Sequence, residues 1–545
     1  MSINLSVPNL AGRVLTEVET KPAKVEKWLA ELPLLNVADT ARRLFTNLSM
    51  YNRMAIEDRD RFKLLELYRY PISQLSRELR KQYIGQPMPL SEKYKTIAEQ
   101  NRQFATELAY GYKRLVSHAL DDAAADKLSQ QEQAIAIGRS IGYLTEVLLI
   151  SYQIYAPHPP GVWQEIHALY RAAVTAEVDE LAFEHSLGQE SHNSSVADCY
   201  KHAILLGIAD PYHLPPRVTD RIHQYLAQWA HLARLLPAPD NYDPTCQFLI
   251  DQGADRPAMP PGEKVDDPSR QHALLNTVDL TRTLHDQITT AKFDQAPELE
   301  STDQRLHDDV GHDTLHRLVQ AWGVHPKRQF RRNAPAQAVQ IEAVTGVEQI
   351  NFFLNGKQRF QVSSSFVGPM PKRTWLGKGS GQVRPAGSGD EADTMTWELC
   401  DESAGGLALQ RRGVSAARLN VGDLIATRVR GVKQPWELSV VRWVKSSNPS
   451  SVQVGLQRLA PRVEAVAIKV MHDDKRESDF IMALLLPEIK ALKQPETLAT
   501  PRGVFKPDRI IYLDNGYRLF PTIASRLVEI TSAFERFRFK YTKSE

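Results

Sequence analysis

Apolar residues in the first part of the chain recur every three or four positions. KVEKWLAEL, VADTARRLFTNLSMYNRMAI, DRFKLLELYRYPISQLSRELRKQY, LSEKYKTIAEQNRQFATELAYGYKRLVSHAL and QQEQAIAIGRSIGYLTEVLLISYQIY all carry this spacing. GVWQEIHALYRAAVTAEV, VADCYKHAILLGIA and RVTDRIHQYLAQWAHLARLL continue it, and the pattern predicts amphipathic helices. Ser91 stands where an N-cap belongs, and APHPP after Tyr155 is a breaker. Short breaks imply antiparallel neighbours, so residues 1–236 are expected to form an α-helical array. Residues 237–324 then read as a linker or small irregular module. It holds a strand at Cys246 to Ile250 and two helices, LLNTVDLTRTLHDQI and QRLHDDVGHDTLHRLVQAWG.

After Gly323 the period changes. AQAVQIEAV, QINFFLNG, TWELC, LALQR, DLIATRVR, WELSVVRWVK and SVQVGLQRL are short runs rich in β-branched and aromatic residues, separated by turn signals such as SSNPSS and VGD. They predict a small antiparallel β-barrel over 325–462, interrupted by a Gly/Ser/Pro-rich loop at 361–390. Residues 463–545 are expected to be a second, mostly β module packed on the first. Its strands are AVAIKVM, RGVF, RIIYLDNGYRLF and ERFRFKY, with a turn at Asp514-Asn515-Gly516. The expected fold is therefore multidomain: an N-terminal all-α helical array, an antiparallel β-barrel and a mostly β C-terminal module.

Bulk properties narrow the function classes. A chain of 545 residues is too long for one core. Lys+Arg (67) nearly balances Asp+Glu (65), and a net charge of +2 gives no global argument for DNA, RNA or membrane binding. Cys199, Cys246 and Cys400 are scattered without a CxxC pair, which fits a reducing cytosol rather than a disulfide framework. The N-terminus lacks a basic-then-apolar signal pattern, and the apolar stretch YLTEVLLISYQIYA is short and contains Glu146. No membrane span and a cytoplasmic location are the expectations. Trp163, Ile166 and Tyr170 resemble the first helix of a tetratricopeptide repeat, and Val196, Tyr200 and Ala203 resemble parts of the second. The interval between them is too long for one repeat and no internal period emerges, so ordinary helix packing accounts for them equally. Either way the helical array is expected to hold a protein partner.

The chemistry concentrates around the barrel. HPKRQFRRN at its entrance places Arg328 and Arg332 at RxxxR spacing, with Lys327 just before and Arg331 between. DESAGG supplies DxSxxG with Asp401, Ser403 and Gly406 between two strand candidates, where a plain turn needs only the glycines. In this order and on a small barrel, these motifs resemble the PilZ domain, a family of bacterial receptors for cyclic di-GMP. The resemblance covers residues 325 to 460. It implies a binding protein rather than an enzyme, with cyclic di-GMP as ligand and no cofactor. It gives Arg328 and Arg332 the arginine role, and Asp401, Ser403 and Gly406 the turn role. A basic residue before the first arginine, here Lys327, inclines the family toward an intercalated ligand pair. The chemistry agrees. A guanidinium pairs with a phosphate or with guanine O6 and N7, and stacks on a base. A carboxylate accepts from the guanine N1–H and N2–H₂ edge, and glycine permits close backbone approach.

The alternative is a helical interaction scaffold carrying a ligand-blind barrel. RxxxR alone also describes a solvated basic face, and DxSxxG alone also describes a turn. His307, His312 and His316 interleave with Asp308, Asp309 and Asp313 and read as a polar helix face rather than a metal site. GSGDEAD reads as loop, and no EAL, P-loop or GxSxG sequence occurs.

Overall fold

The computed structural model describes residues 3–11, 18–33, 36–120, 128–187, 190–238, 245–259, 271–290, 312–323, 331–363, 394–413, 419–448, 451–471, 477–489 and 493–542. Two compact units emerge: Met1–Gln86 with Leu90–Lys327, and Pro87–Pro89 with Arg328–Glu545.

The first unit is built on α1 (Pro22–Ala30), α2 (Val37–Tyr51), α3 (Asp58–Tyr83), α4 (Glu92–Ala119), α5 (Gln130–Gln153), α6 (Val162–Thr175), α7 (Val196–Ile208) and α8 (Pro216–Trp229). Capping boxes start two of them. Ser129 with Glu132 opens α5, and Ser195 with Asp198 opens α7. Between α6 and α7 lies a hairpin of β1 (Phe183–Leu187) and β2 (Glu190–Ser194). The two repeat-like pieces are thus joined by a hairpin rather than a tight turn, though Tyr170 and Tyr200 still stack at 4.1 Å.

Residues 237–324 contribute more than a linker. β3 (Arg234–Pro237), β5 (His272–Asn276) and β4 (Gln247–Asp251) form a three-stranded sheet in that order. Leu274 and Leu275, read above as helix, are in β5, and α9 (Val278–Thr290) starts after them. With α10 (His312–Trp322), this segment sends Phe248, Ile250, Leu275, Leu318 and Trp322 into the core shared with α1 to α8. Among the described residues one helix, α5, is long and apolar enough to cross a membrane; 78% of its apolar window is buried inside this core.

The second unit holds two barrels. The strands of the first are β6 (Gln340–Thr345), β7 (Met395–Ser403), β8 (Gly406–Arg412), β9 (Leu424–Val429), β10 (Glu437–Asn448) and β11 (Ser451–Ala460). They close in the order β10-β11-β8-β7-β6-β9, antiparallel throughout. QINFFLNG is not a strand: α11 (Val347–Leu354) occupies it. Gly346, at φ +83°, turns the chain, and Val347, Ile350 and Phe353 then bury one helical face. Most of the 361–390 loop lies outside the described residues.

The second barrel closes β12 (Glu464–Val470), β13 (Ile481–Leu486), β14 (Thr497–Thr500), β17 (Glu535–Tyr541), β16 (Leu519–Ile530) and β15 (Ile510–Asp514) in that order. RGVF forms a turn instead of a strand. Asp514-Asn515-Gly516 does make the β15–β16 turn, with Gly516 at φ +85° and Asn515 Oδ1 accepting from the N–H groups of Tyr517 and Arg518. A single apolar cluster joins the barrels, running from Ile350 and Leu438 to Leu484 and Phe534. Buried Asn351 donates to the carbonyls of Val466 (2.8 Å) and Ala483 (2.9 Å). Glu529, 6% exposed, meets Arg442 at 2.7 Å and Arg536 at 3.4 Å.

Candidate ligand-binding site

DESAGG becomes the β7–β8 hairpin. Ser403 pairs with Gly406, leaving Ala404 and Gly405 as the turn. Gly406 cannot carry a side chain, since a Cβ there would lie 2.1 Å from the Leu456 carbonyl oxygen of β11. Glycine is therefore needed first for strand-to-strand approach, before any ligand is considered. Ser403 Oγ faces the Gly406 carbonyl at 3.5 Å, too long to fix the hydroxyl, so it is available to another partner.

A bulge sets Asp401. Leu399 pairs with Leu409, but Asp401 rather than Cys400 pairs with Ala408. Strict alternation would put Asp401 on the face of buried Leu399. The extra residue turns it to the other face, where its side chain is 28% exposed. The Cys400 thiol is pushed up by burial and by the Asp401 carboxylate, so it is no activated nucleophile.

The basic segment reaches this hairpin. Asn333 and Glu402 exchange two backbone hydrogen bonds, of 2.8 and 2.9 Å. That anchor brings the Arg332 guanidinium to 3.3 Å from the Asp401 carboxylate. Both groups are partly exposed, so this contact contributes little stability. Arg331 is exposed beside it. Lys327 and Arg328 lie outside the described residues.

The sequence did not point to Arg458. Its Nε donates to Glu437 at 3.1 Å and its Nη2 to Glu402 at 3.2 Å, and Nη1 donates to the Ser403 carbonyl. Its own N–H donates to the Gly405 carbonyl at 3.0 Å. Arg458 therefore clamps the hairpin from β11. Only the strand register reveals this role, because nothing in QRLAPR marks it. Arg332, Asp401, Ser403 and Gly406 thus share one end of the barrel, anchored by Asn333 and Arg458. One guanidinium, one carboxylate, a hydroxyl and exposed turn backbone can receive a ligand that presents both anionic oxygens and N–H donors.

Comparison with known proteins accounts for almost the whole chain. A family model described as the N-terminal domain of the cyclic-di-GMP receptor FimW matches residues 23–240. The model of that receptor's middle PilZ domain matches 247–369 and 371–464, and that of the FimW C-terminal β-barrel domain matches 466–542. The cyclic-di-GMP receptor FimW of Pseudomonas aeruginosa is 26% identical over 588 aligned residues, covering 99% of this chain and 93% of that one.

Proposed function

We propose, from the match of its middle residues to a PilZ-domain model, that this chain is a receptor for cyclic di-GMP. The observation that carries the reading is the meeting of Arg332 with Asp401 above the DxSxxG hairpin. Two motifs far apart in sequence reach one spot on the barrel. In the proposed complex Arg332, with Arg328 and Arg331, holds phosphate or guanine. Asp401 releases Arg332 to accept from the guanine N1–H and N2–H₂ edge, and Ser403 adds a hydroxyl contact. Lys327 favours two intercalated ligand molecules. The protein binds rather than catalyses, works in the cytoplasm and needs no cofactor.

The output in this proposal is conformational. Ligand binding at the basic segment and the hairpin shifts the chain between two states that differ in which protein partner they engage. A ligand moves that equilibrium only by its differential affinity for the two states. Hydrogen exchange with and without saturating cyclic di-GMP tests the reading. Protection concentrated at 327–333 and 401–406 is expected. Unchanged exchange throughout the barrel contradicts it.

A further inference from the structure

Well away in sequence from the barrel, the helical unit encloses a cavity of about 710 Å³. That volume falls in the range of small-molecule sites. Six cationic side chains line it: Arg77 and Arg217, Arg69 and Arg139, which meet Glu66 at 2.6 and 3.4 Å, Lys81, which meets Glu78 at 2.6 Å, and Arg80. The lining carboxylates are fewer, and each is already engaged. Glu146 binds Arg80 and, at 3.2 Å, His223. Asp198 binds Lys201 at 2.8 Å. Asp220 accepts from Gln153 at 3.0 Å and from Arg80 at 3.4 Å.

One of the lining imidazoles, His185, is held so that it presents a donor. A guanidinium can only donate, so Arg139 Nη1, 2.8 Å from His185 Nδ1, makes that nitrogen the acceptor. His185 is then neutral with its proton on Nε2, and burial followed by Arg139 pushes its pKa down to about 2. His192 stacks on it at 5.0 Å. Across the cavity, His202 Nε2 lies 2.9 Å from His223 Nδ1. His223 Nε2 in turn meets Glu146 at 3.2 Å, so the donors of this imidazole pair are spent on each other and on that carboxylate. Tyr143, stacked on Tyr112, adds an aromatic wall.

A cavity lined by six cations and three engaged carboxylates, with the His185 Nε2–H as a further donor, suits a compact polyanion. Guanidinium forks match the paired oxygens of phosphate. We infer that this cavity is a second ligand site, in the helical unit, for a small phosphorylated molecule. Arg77 and Arg217, both exposed, stand at its mouth, while Arg80 and Arg139 form its fixed floor.

Calorimetry tests this on the full chain carrying Arg332→Ala, with inorganic phosphate, pyrophosphate and AMP as probes. Saturable binding of pyrophosphate or AMP near one per chain is expected. In that background, Arg77→Ala with Arg217→Ala should weaken it about tenfold or more, since each removes a charge-assisted contact. His185→Gln, with helical content checked by circular dichroism, should weaken it as well. No saturable binding of any probe at millimolar concentration by the folded chain would overturn the inference, as would binding that the Arg77/Arg217 double variant leaves unchanged.

Discussion

Gly406→Ala is the most informative single perturbation of the barrel. The added Cβ would lie 2.1 Å from the Leu456 carbonyl oxygen, well inside contact distance, and that oxygen belongs to backbone, not to a side chain that can swing away. Relief requires the hairpin to retreat from β11 by roughly 1 Å, enough to spoil normal hydrogen-bond geometry. The retreat loosens the Gly406–Gln457 register pair and the Arg458 N–H bond to Gly405. It also strains Arg458's bonds to Ser403 and Glu402. Two to three such bonds at about 1 kcal/mol each give a local cost of about 2–3 kcal/mol. Amide exchange measures it directly: protection in 401–412 and 451–458 should fall about 30- to 150-fold while the helical unit is unaffected. Ser403→Ala, which removes only a long contact, should leave exchange within about twofold. Wild-type protection in Gly406→Ala would refute the claim that this glycine is there for strand approach.

Other predictions follow from the same packing. Burial pushes the Asp423 carboxyl up to about 6 although the Asn420 N–H opposes it. The folded barrel therefore holds its proton more tightly than the unfolded chain. The contribution is fully present below pH 4 and is lost as pH rises through 6, up to about 3 kcal/mol in all. Asp423→Asn should thus raise the urea midpoint at pH 7.5 and flatten its decline between pH 4 and 6; a lowered midpoint at pH 7.5 contradicts this. Glu529→Ala leaves Arg442 and Arg536 facing each other at the barrel junction and should cost about 3 kcal/mol. Glu529→Leu combined with Arg442→Met and Arg536→Met should recover most of that loss in the same unfolding assay. Asn351→Leu removes both donors to the Val466 and Ala483 carbonyls and should lower stability by about 1–3 kcal/mol, read as faster exchange in β12 and β13.

The helices and most of the strands were legible because one buried face imposes a period. QINFFLNG misled because its residues favour strands individually. The three-residue spacing of Val347, Ile350 and Phe353 was the better signal. The 183–194 hairpin carries little apolar alternation, so it left no trace in the pattern. The three-stranded sheet was hidden by its Pro- and Asp-rich connections. At the candidate site, the residue types and their order were visible as motifs. The bulge that turns Asp401 outward and the Arg458 clamp were not, since both depend on register, which one strand cannot reveal alone.

The central claim is that the barrel end formed by Arg332, Asp401 and the hairpin binds cyclic di-GMP. Titration calorimetry of the full chain, with Arg332→Ala alongside, tests it most directly. The account predicts saturable binding by the wild type, loss of at least tenfold in the variant, and a stoichiometry of two if Lys327 supports an intercalated pair. A folded wild type that takes up no cyclic di-GMP, or a variant that binds it equally well, would contradict it.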